Sequence, residues 1–207
     1  VVLAVQRNGF GYRPTNYGIS VNNKPVDPGL DSLLGPLGVN VANQLVMDQQ
    51  METLNMNAGQ NRGPFAVRSP VKLPTHVLVS AEQFNQELSI TSGLGNLIYL
   101  WGSPITVDQA KADAASTQVT ELFSSSDESW LAEIKDGPLA RTDIEPRAGG
   151  RSMLAALVEF NAPATPQAKP DGVNDVDWAA QAASKIGARN RMVLFGILDN
   201  DNTGSIC

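Results

Sequence analysis

Few side chains in this chain are suited to covalent chemistry, and the one histidine is the first to consider. His76 follows Pro74-Thr75 and precedes the apolar run 77–79. A Ser–His–Asp or Cys–His hydrolase needs this base beside a nucleophile. The single cysteine is Cys207, and no G-x-S-x-G sequence is present. We therefore expect His76 to be structural, and we keep it as a candidate binding residue. A hydrolase that uses His76 with acids brought near by folding is the third hypothesis.

The segment 199–204, Asp-Asn-Asp-Asn-Thr-Gly, resembles the first half of a calcium-binding loop. Oxygen ligands at alternate positions, followed by a glycine at a sharp bend, suit a hard cation. The closing glutamate would lie beyond Cys207, and the segment follows a predicted strand instead of a helix. Asp199 and Asp201 are therefore weak metal candidates, and a polar turn is the favoured interpretation. No metal and no other cofactor is predicted.

Three tryptophans are candidates for a sugar or peptide groove. Trp101 closes an apolar run and is predicted to lie in the core. Trp130 and Trp178 stand beside acidic residues, so we expect them to be partly exposed and treat them as candidate binding residues. They support the alternative function, a carbohydrate-binding or carbohydrate-active domain.

Composition limits the class of protein. The chain has 207 residues, a net charge of −6 and no cluster of basic side chains, which argues against a nucleic-acid partner. Charged residues make up only 17%, and this weakly charged polar surface favours an extracytoplasmic location. No run approaches the roughly 18 apolar residues of a membrane-spanning helix. Because the sequence begins at Val1 with core-like residues, we interpret it as a domain of a longer protein.

Four apolar runs predict buried strands, at residues 1–5, 96–101, 153–160 and 191–197. Between them the patterns predict further elements: a loop over 8–28, a helix opening at Asp31, an extended segment ending in Asp48, a polar stretch over 49–64, strand pieces over 65–67 and 76–79 separated by prolines, a turn of helix over 81–88, a short helix or loop and then a strand over 107–123, a helical turn over 128–134, a loop over 162–176 and a helix over 178–186. These elements indicate a layered α/β fold with a mixed, mostly parallel sheet. They form one domain over 1–207, or the second half of a larger extracytoplasmic region.

Four segments in order carry a resemblance to a known family. They are residues 30–39 (LDSLLGPLGV, here called the opening signature) with 45–48 (LVMD), residues 90–94 with 97–105, residues 119–130, and residues 189–196. This pattern resembles the auxiliary component of gliding-motility-type ABC transporters, a family related to an intraflagellar-transport domain. In the last segment, Gly196 is followed by Ile-Leu-Asp where the family has Asp-Ser-Asp.

The resemblance implies an extracytoplasmic, membrane-anchored accessory protein, in the periplasm or at the cell surface. Its fold would be glutamine-amidotransferase-like, related to flavodoxin. Since the nucleophile and base of the amidotransferases are not evident, the resemblance implies a non-catalytic binding role. The implied partners are the permease and ATPase subunits, reached through the parent protein, with self-association left open. Contact with the membrane would come only through segments outside this chain.

Overall fold

The computed structural model describes residues 1–15, 18–57, 68–161 and 189–196. Strands predominate in these residues, and the helices are short. The strands are β1 (Val2–Ala4), β2 (Asn8–Thr15), β3 (Gly18–Pro25), β4 (Val39–Val41), β5 (Gln44–Asp48), β6 (Met51–Asn57), β7 (Arg68–Val79), β8 (Leu97–Leu100), β9 (Ile105–Val107), β10 (Gln118–Ser124), β11 (Ser129–Glu133), β12 (Gly137–Pro138), β13 (Met153–Asn161) and β14 (Arg189–Phe195). The helices are α1 (Asp31–Leu34) and α2 (Gln109–Ala114), with 3-10 turns at Gly35–Leu37, Ala81–Gln83 and Arg141–Asp143.

The largest sheet formed by the described strands has four of them, in the order β1-β14-β13-β10. β1 runs parallel to β14, with Val2 opposite Val193, and the other neighbours in this sheet are antiparallel. Mixed α/β structure is therefore confirmed, but the prediction of a mostly parallel sheet is wrong for the described strands. Parallel neighbours need long crossover connections, usually helices. The helices α1 and α2, with four and six residues, are too short to serve in that way.

The remaining described strands form smaller sheets, ordered β11-β5, β12-β3-β2, β4-β9 and β6-β7-β8, and every pair in them is antiparallel. Residues 8–28, predicted as a loop, instead contain the hairpin β2–β3, with Asn8 opposite Pro25. The polar stretch after residue 49 contains β6. Neither segment has a strong period of apolar residues. Pairing with a neighbouring strand therefore stabilises each of them as a strand.

Strand β7 continues through two prolines that were expected to separate strand pieces. Pro70 lies opposite Asn55, and Pro74 falls in an irregular stretch where Met51 pairs with Val77 but Thr53 pairs with Lys72. A bulge of this kind tolerates a residue without a backbone N–H. Strand β8 pairs only with residues 76–79 of β7, beyond both prolines.

Several sequence predictions are confirmed. Strands lie at each of the four apolar runs, and α2 followed by β10 occupies residues 107–123 as expected. The predicted helix opening at Asp31 is α1. The helical turn predicted over 81–88 is a 3-10 turn with Ser80 and Gln83 forming a capping box. The predictions for residues 65–67, 162–176 and 178–186 lie outside the described residues.

Among the described residues, three groups of buried side chains form the core. β5 separates two of them, because Val46 packs into one group while Leu45 and Met47 pack into another. The third group joins β13 and β14 to α1, β4 and β9, and includes Leu34, Val39 and Ala156. The opening signature is thereby fixed to the largest sheet. Within the described ranges, no helix is long and apolar enough to cross a membrane.

Candidate functional site: a polar groove beside the opening signature

A polar groove of about 390 Å³ lies between the opening signature and the start of α2. Its volume falls within the roughly 300–1,000 Å³ range of small-molecule sites. Its lining is contributed by α1 and the turn after it, the paired strands β4 and β9, and α2: Asp31, Gly35, Gly38, Val39, Asn40, Thr106, Val107, Asp108 and Lys111. Five of these residues carry polar side chains, and all five are exposed to solvent.

Gly38 determines how closely the two walls of the groove approach. Its φ of +72° is left-handed, and a Cβ there would lie 2.4 Å from the backbone nitrogen of Ala112 and 2.7 Å from the carbonyl oxygen of Asp108. The carbonyl of Gly38 accepts a hydrogen bond of 2.8 Å from the backbone N–H of Asp108. Only glycine combines this conformation with this contact. The final glycine of the opening signature therefore positions α2.

Asp108 and Lys111 form one wall of the groove. The Asp108 carboxylate caps α2 by accepting a 3.2 Å hydrogen bond from the backbone N–H of Lys111. The Lys111 ammonium lies 3.1 Å from the other carboxylate oxygen, and both side chains are about half exposed or more. Hydrogen bonds from Lys111, first from its backbone and then from its side chain, lower the pKa of Asp108. Asp108 is thus held ionised and oriented.

A buried arginine holds the carboxylate on the opposite wall. Arg7 is only 8% exposed, and its Nε donates a 2.9 Å hydrogen bond to the carbonyl of Val41. Its Nη2 donates to Asp31, while Nη1 lies 3.7 Å from Asp27. Since Arg7 approaches Asp31 from the protein side, one oxygen of Asp31 is oriented by the fold. Both groove carboxylates therefore already have a cationic partner.

His76, a candidate from the sequence, does not line this groove and is fully buried. Its Nε2 lies 3.0 Å from the hydroxyl of Tyr12, which accepts a 2.8 Å hydrogen bond from Nε1 of Trp101. Because the indole can only donate, the Tyr12 hydroxyl is free to donate its own hydrogen to His76. The Tyr12 hydroxyl therefore bonds Nε2 of His76 in either imidazole tautomer, as donor to a bare nitrogen or as acceptor from a protonated one.

Burial dominates the electrostatics of this cluster. It lowers the pKa of His76 to about 4, and the nearby backbone carbonyls of Glu52 and Val71 partly oppose this shift. Within the described residues, Nδ1 of His76 makes no well-formed hydrogen bond. Burial also raises the pKa of Tyr12 to about 12. Trp101 lies stacked on Phe10, with ring centroids 4.7 Å apart. His76 is thus a neutral side chain inside an aromatic core, where its Nε2 already has a hydrogen-bond partner.

The expected exposure of Trp130 is wrong. The side chain is 1% exposed and belongs to a core group with Trp101 and Met47. The helical turn expected around it is the strand β11, in which buried Trp130 and Ala132 alternate with exposed Leu131 and Glu133. A two-residue period places alternate side chains on opposite faces, and Trp130 faces the core. Trp178, Asp199 and Asp201 lie outside the described residues.

Asp48 is the polar end of a core strand, as predicted from the sequence. Its hydrogen-bond partners were not predicted. Its carboxylate is fully buried and accepts hydrogen bonds from the backbone N–H of Ser126 (2.8 Å), the hydroxyl of Ser126 (2.5 Å) and the backbone N–H of Gln50 (2.9 Å). We call Asp48, Ser126 and Gln50 the Asp48 joint. It connects β5 to the turn between β10 and β11.

A chain of serine hydroxyls continues from the same turn. The Ser125 hydroxyl accepts from the backbone N–H of Ser152 (2.8 Å) and lies 2.7 Å from the hydroxyl of Ser129, which donates to the carbonyl of Gly150. These polar groups therefore satisfy one another inside the fold. The run Ser124–Ser126 after a predicted strand was the available signal, since a buried carboxylate needs donors of this kind.

The sequence also gave partial signals for the groove residues that were missed. Asp108 precedes a helical segment and Lys111 follows three residues later, which is the pattern of a helix N-cap. Asn40 and Thr106 had no such signal, because they meet only through the pairing of β4 with β9. Within the part of the chain that the structure describes, no group of three or more His, Cys, Asp or Glu side chains could hold a metal ion.

Comparison with known families supplies the classification. A family model for ABC transporter auxiliary proteins, described as an ABC-type uncharacterized transport system, matches residues 6–196. No curated protein and no solved structure matches the chain. The match covers most of the sequence, including the opening signature, the Asp48 joint and the groove. The chain therefore belongs to this ABC transporter auxiliary family.

Proposed function

We propose that this chain is a non-catalytic, extracytoplasmic accessory domain that binds a partner within an ABC-type transport system. The observation that carries the proposal is the family match over residues 6–196. The gliding-motility type of transporter is the subclass that the sequence segments resemble. The permease and ATPase subunits are the proposed partners, reached through the parent protein, and segments outside this chain would provide the membrane anchor.

The buried polar side chains support the non-catalytic part of the proposal. His76 and Asp48 are the groups with most resemblance to catalytic bases, and both are fully buried. Nε2 of His76 is occupied by Tyr12, and the Asp48 carboxylate by Ser126 and Gln50. A general base must reach the proton that it removes from a substrate. Neither side chain has that access in this arrangement.

Photo-crosslinking in living cells tests the partner. A photoreactive amino acid is placed in the full-length gene product at one of three exposed apolar positions, Leu33, Leu94 or Leu131. We expect at least one position to give an adduct that mass spectrometry identifies as a permease subunit of an ABC transporter, the subunit with segments on the same side of the membrane as this domain. A buried position, Val79, serves as the matched control that should give no intermolecular adduct. Normal expression with no transporter adduct from any of the three exposed positions would overturn the proposal.

Thiol labelling tests the location. In a Cys207→Ser background, Ser92→Cys places one exposed thiol on the surface. We expect a membrane-impermeant maleimide to label Ser92→Cys in intact cells to the same extent as in lysed cells. A cytoplasmic protein with an exposed cysteine provides the control in the same cells. Labelling of Ser92→Cys only after lysis would contradict an extracytoplasmic location.

A further inference from the structure

We propose that the groove between the opening signature and α2 binds a neutral, polyhydroxylated ligand of the saccharide class. The inference goes beyond the accessory role, because it assigns a ligand to a site that needs no transporter subunit. It rests on three properties of the groove: its volume, the pairing of its charges, and the mixture of donors and acceptors on its walls.

The charges in the groove favour a neutral ligand. Asp31 is paired with the buried Arg7, and Asp108 with Lys111. A cationic ligand would compete with cations already supplied by the chain, and an anionic ligand would meet two carboxylates. A hydroxyl group can add to these pairs without displacing them, since an ionised carboxylate has about four acceptor sites and an ammonium has three donors. Uncharged hydroxyls therefore gain most from this arrangement.

The donors and acceptors match vicinal hydroxyls. Asp31 and Asp108 accept, Lys111 donates, and the exposed side chains of Asn40 and Thr106 can do both. The Thr106 hydroxyl makes only a long 3.5 Å contact with the carbonyl of Asn40, which leaves its bonding capacity available. Each sugar hydroxyl both donates and accepts, so neighbouring hydroxyls can bridge a carboxylate and an amide or hydroxyl.

The lining residues also determine how a sugar would be recognised and how tightly it would bind. None of the nine lining residues is aromatic, so recognition would depend on hydrogen bonds and not on stacking against a sugar face. The side chains of Asp31, Asp108 and Lys111 are 61%, 48% and 67% exposed, which means that a ligand exchanges water for protein contacts. Such an exchange gives small net gains per bond. We expect a Kd for a single sugar of about 1 mM.

The test is an NMR titration of the whole chain with glucose, N-acetylglucosamine and maltotriose, with cyclohexanol as the probe that lacks vicinal hydroxyls. We expect saturable amide shifts confined to the groove lining, at residues 31, 35, 38–40 and 106–111. Tighter binding of maltotriose than of glucose would indicate a polymer chain as the natural source, and equal binding a single sugar unit. No saturable groove shifts with any of the sugars up to about 50 mM, or equal shifts with cyclohexanol, would overturn the proposal.

Two exposed groove residues provide the variants. We expect Thr106→Val and Asn40→Ala each to raise the Kd by about 3- to 10-fold, the effect of removing one hydrogen-bonding partner. Thr106→Ser keeps the hydroxyl and should bind as the wild type does. Thr142→Val makes the same change at an exposed position outside the groove and should leave the Kd unchanged. Wild-type binding by both Thr106→Val and Asn40→Ala would reject the site.

Charged analogues complete the experiment. If glucuronate or glucosamine bound in the groove more than about 10-fold tighter than glucose, the argument from paired charges would be wrong. None of these titrations requires a transporter. Failure of the saccharide proposal would therefore leave the crosslinking test of the accessory role intact, and failure of that test would leave these titrations valid.

Discussion

Aspartate side chains have different roles in two regions of this molecule, one buried and one facing solvent. In the Asp48 joint, a fully buried carboxylate is satisfied by donors from its own chain. In the groove, Asp31 and Asp108 are held from one side by Arg7 or Lys111 and face solvent on the other. The difference teaches that an acidic residue in a family-like segment indicates a ligand site only where its remaining lone pairs are accessible. Residue type alone does not distinguish a structural role from a binding one.

Replacing Asp48 with alanine should have the largest effect on the buried side of this comparison. Asp48→Ala leaves the N–H groups of Ser126 and Gln50 and the Ser126 hydroxyl without their acceptor. Buried donors that lose a charged acceptor cost several kcal/mol, so we expect a loss of about 3–4 kcal/mol in unfolding free energy, measured by urea denaturation. Ser32→Ala, at an exposed position, is the control that should change little. If the Asp48→Ala protein were as stable as the control, the Asp48 joint would have no structural role.

Gly38→Ala tests whether the groove depends on close backbone packing. The added Cβ would meet the backbone of Ala112 and Asp108, and the left-handed φ adds strain. We expect a loss of about 2–4 kcal/mol and displacement of α2, observed as NMR shift changes at residues 106–111. Gly35→Ala is the matched control, because Gly35 has φ −56° and open space around its Cβ position. Equal stability of the two variants would contradict the proposed packing.

Stability should depend on pH through His76, which is fully buried like Asp48. Its pKa in the folded protein is about 4, below the unfolded value of 6.5, because burial disfavours the imidazolium. The unfolded chain therefore binds a proton first, and the free energy of unfolding should fall as pH decreases from about 6.5 to about 4. The full contribution approaches about 3 kcal/mol. His76→Gln should remove this component of the pH dependence, measured by urea denaturation at a series of pH values. An unchanged profile in His76→Gln would assign the slope to other groups.

Tyr12→Phe should have a moderate effect, since it breaks the chain of bonds without opening a large cavity. Loss of the hydroxyl leaves Nε1 of Trp101 and Nε2 of His76 unpaired. We expect a cost of about 1–3 kcal/mol. In a double-mutant cycle with His76→Gln, the two changes should be non-additive, because the residues share a hydrogen bond. Additive losses of unfolding free energy would mean that Tyr12 and His76 do not interact.

Asp108→Ala should have the smallest effect on stability, because it removes a cap and an ion pair at a solvent-exposed helix end. We expect a smaller fall in the urea midpoint than for Asp48→Ala, Gly38→Ala or Tyr12→Phe, together with weaker sugar binding. Asp108→Asn keeps a capping oxygen and should recover the midpoint. If Asp108→Ala were as destabilising as Asp48→Ala, the contrast between the groove and the joint would not hold.

The sequence predicted the strands that are apolar throughout, and it failed where a partner strand decides the structure. Continuous runs such as 153–160 carry their own signal, whereas the hairpin β2–β3 contains glycine, asparagine and proline and depends on pairing. In β11 the acids around Trp130 suggested a helical turn, although the two-residue alternation of Trp130, Leu131, Ala132 and Glu133 was present in the sequence. Its pairing with β5 determined which pattern prevailed.

The site was harder to predict than the fold because its residues come together across long separations. Asp48 and Ser126 are 78 positions apart, and no local sequence pattern links them. Asn40 and Thr106 become neighbours only through the register of β4 and β9. Burial, which made His76 and Trp130 parts of the core, depends on the same long-range packing. Local sequence patterns therefore identified side chains of a type that can bind or react. They did not identify which polar side chains face solvent in the folded protein.

The parallel pairing of β1 with β14 has a mechanical consequence. Val2 lies opposite Val193 and Ala4 opposite Phe195, and the pair is extended by hydrogen bonds from Val193 to Val1 and from Val5 to Phe195. Because the two strands point in the same direction, tension applied between the start of β1 and the end of β14 pulls them lengthwise past each other. All the bonds of the pair then share the load at once, instead of opening one after another. Tension between those two points would therefore load this strand pair in shear and would not unzip it.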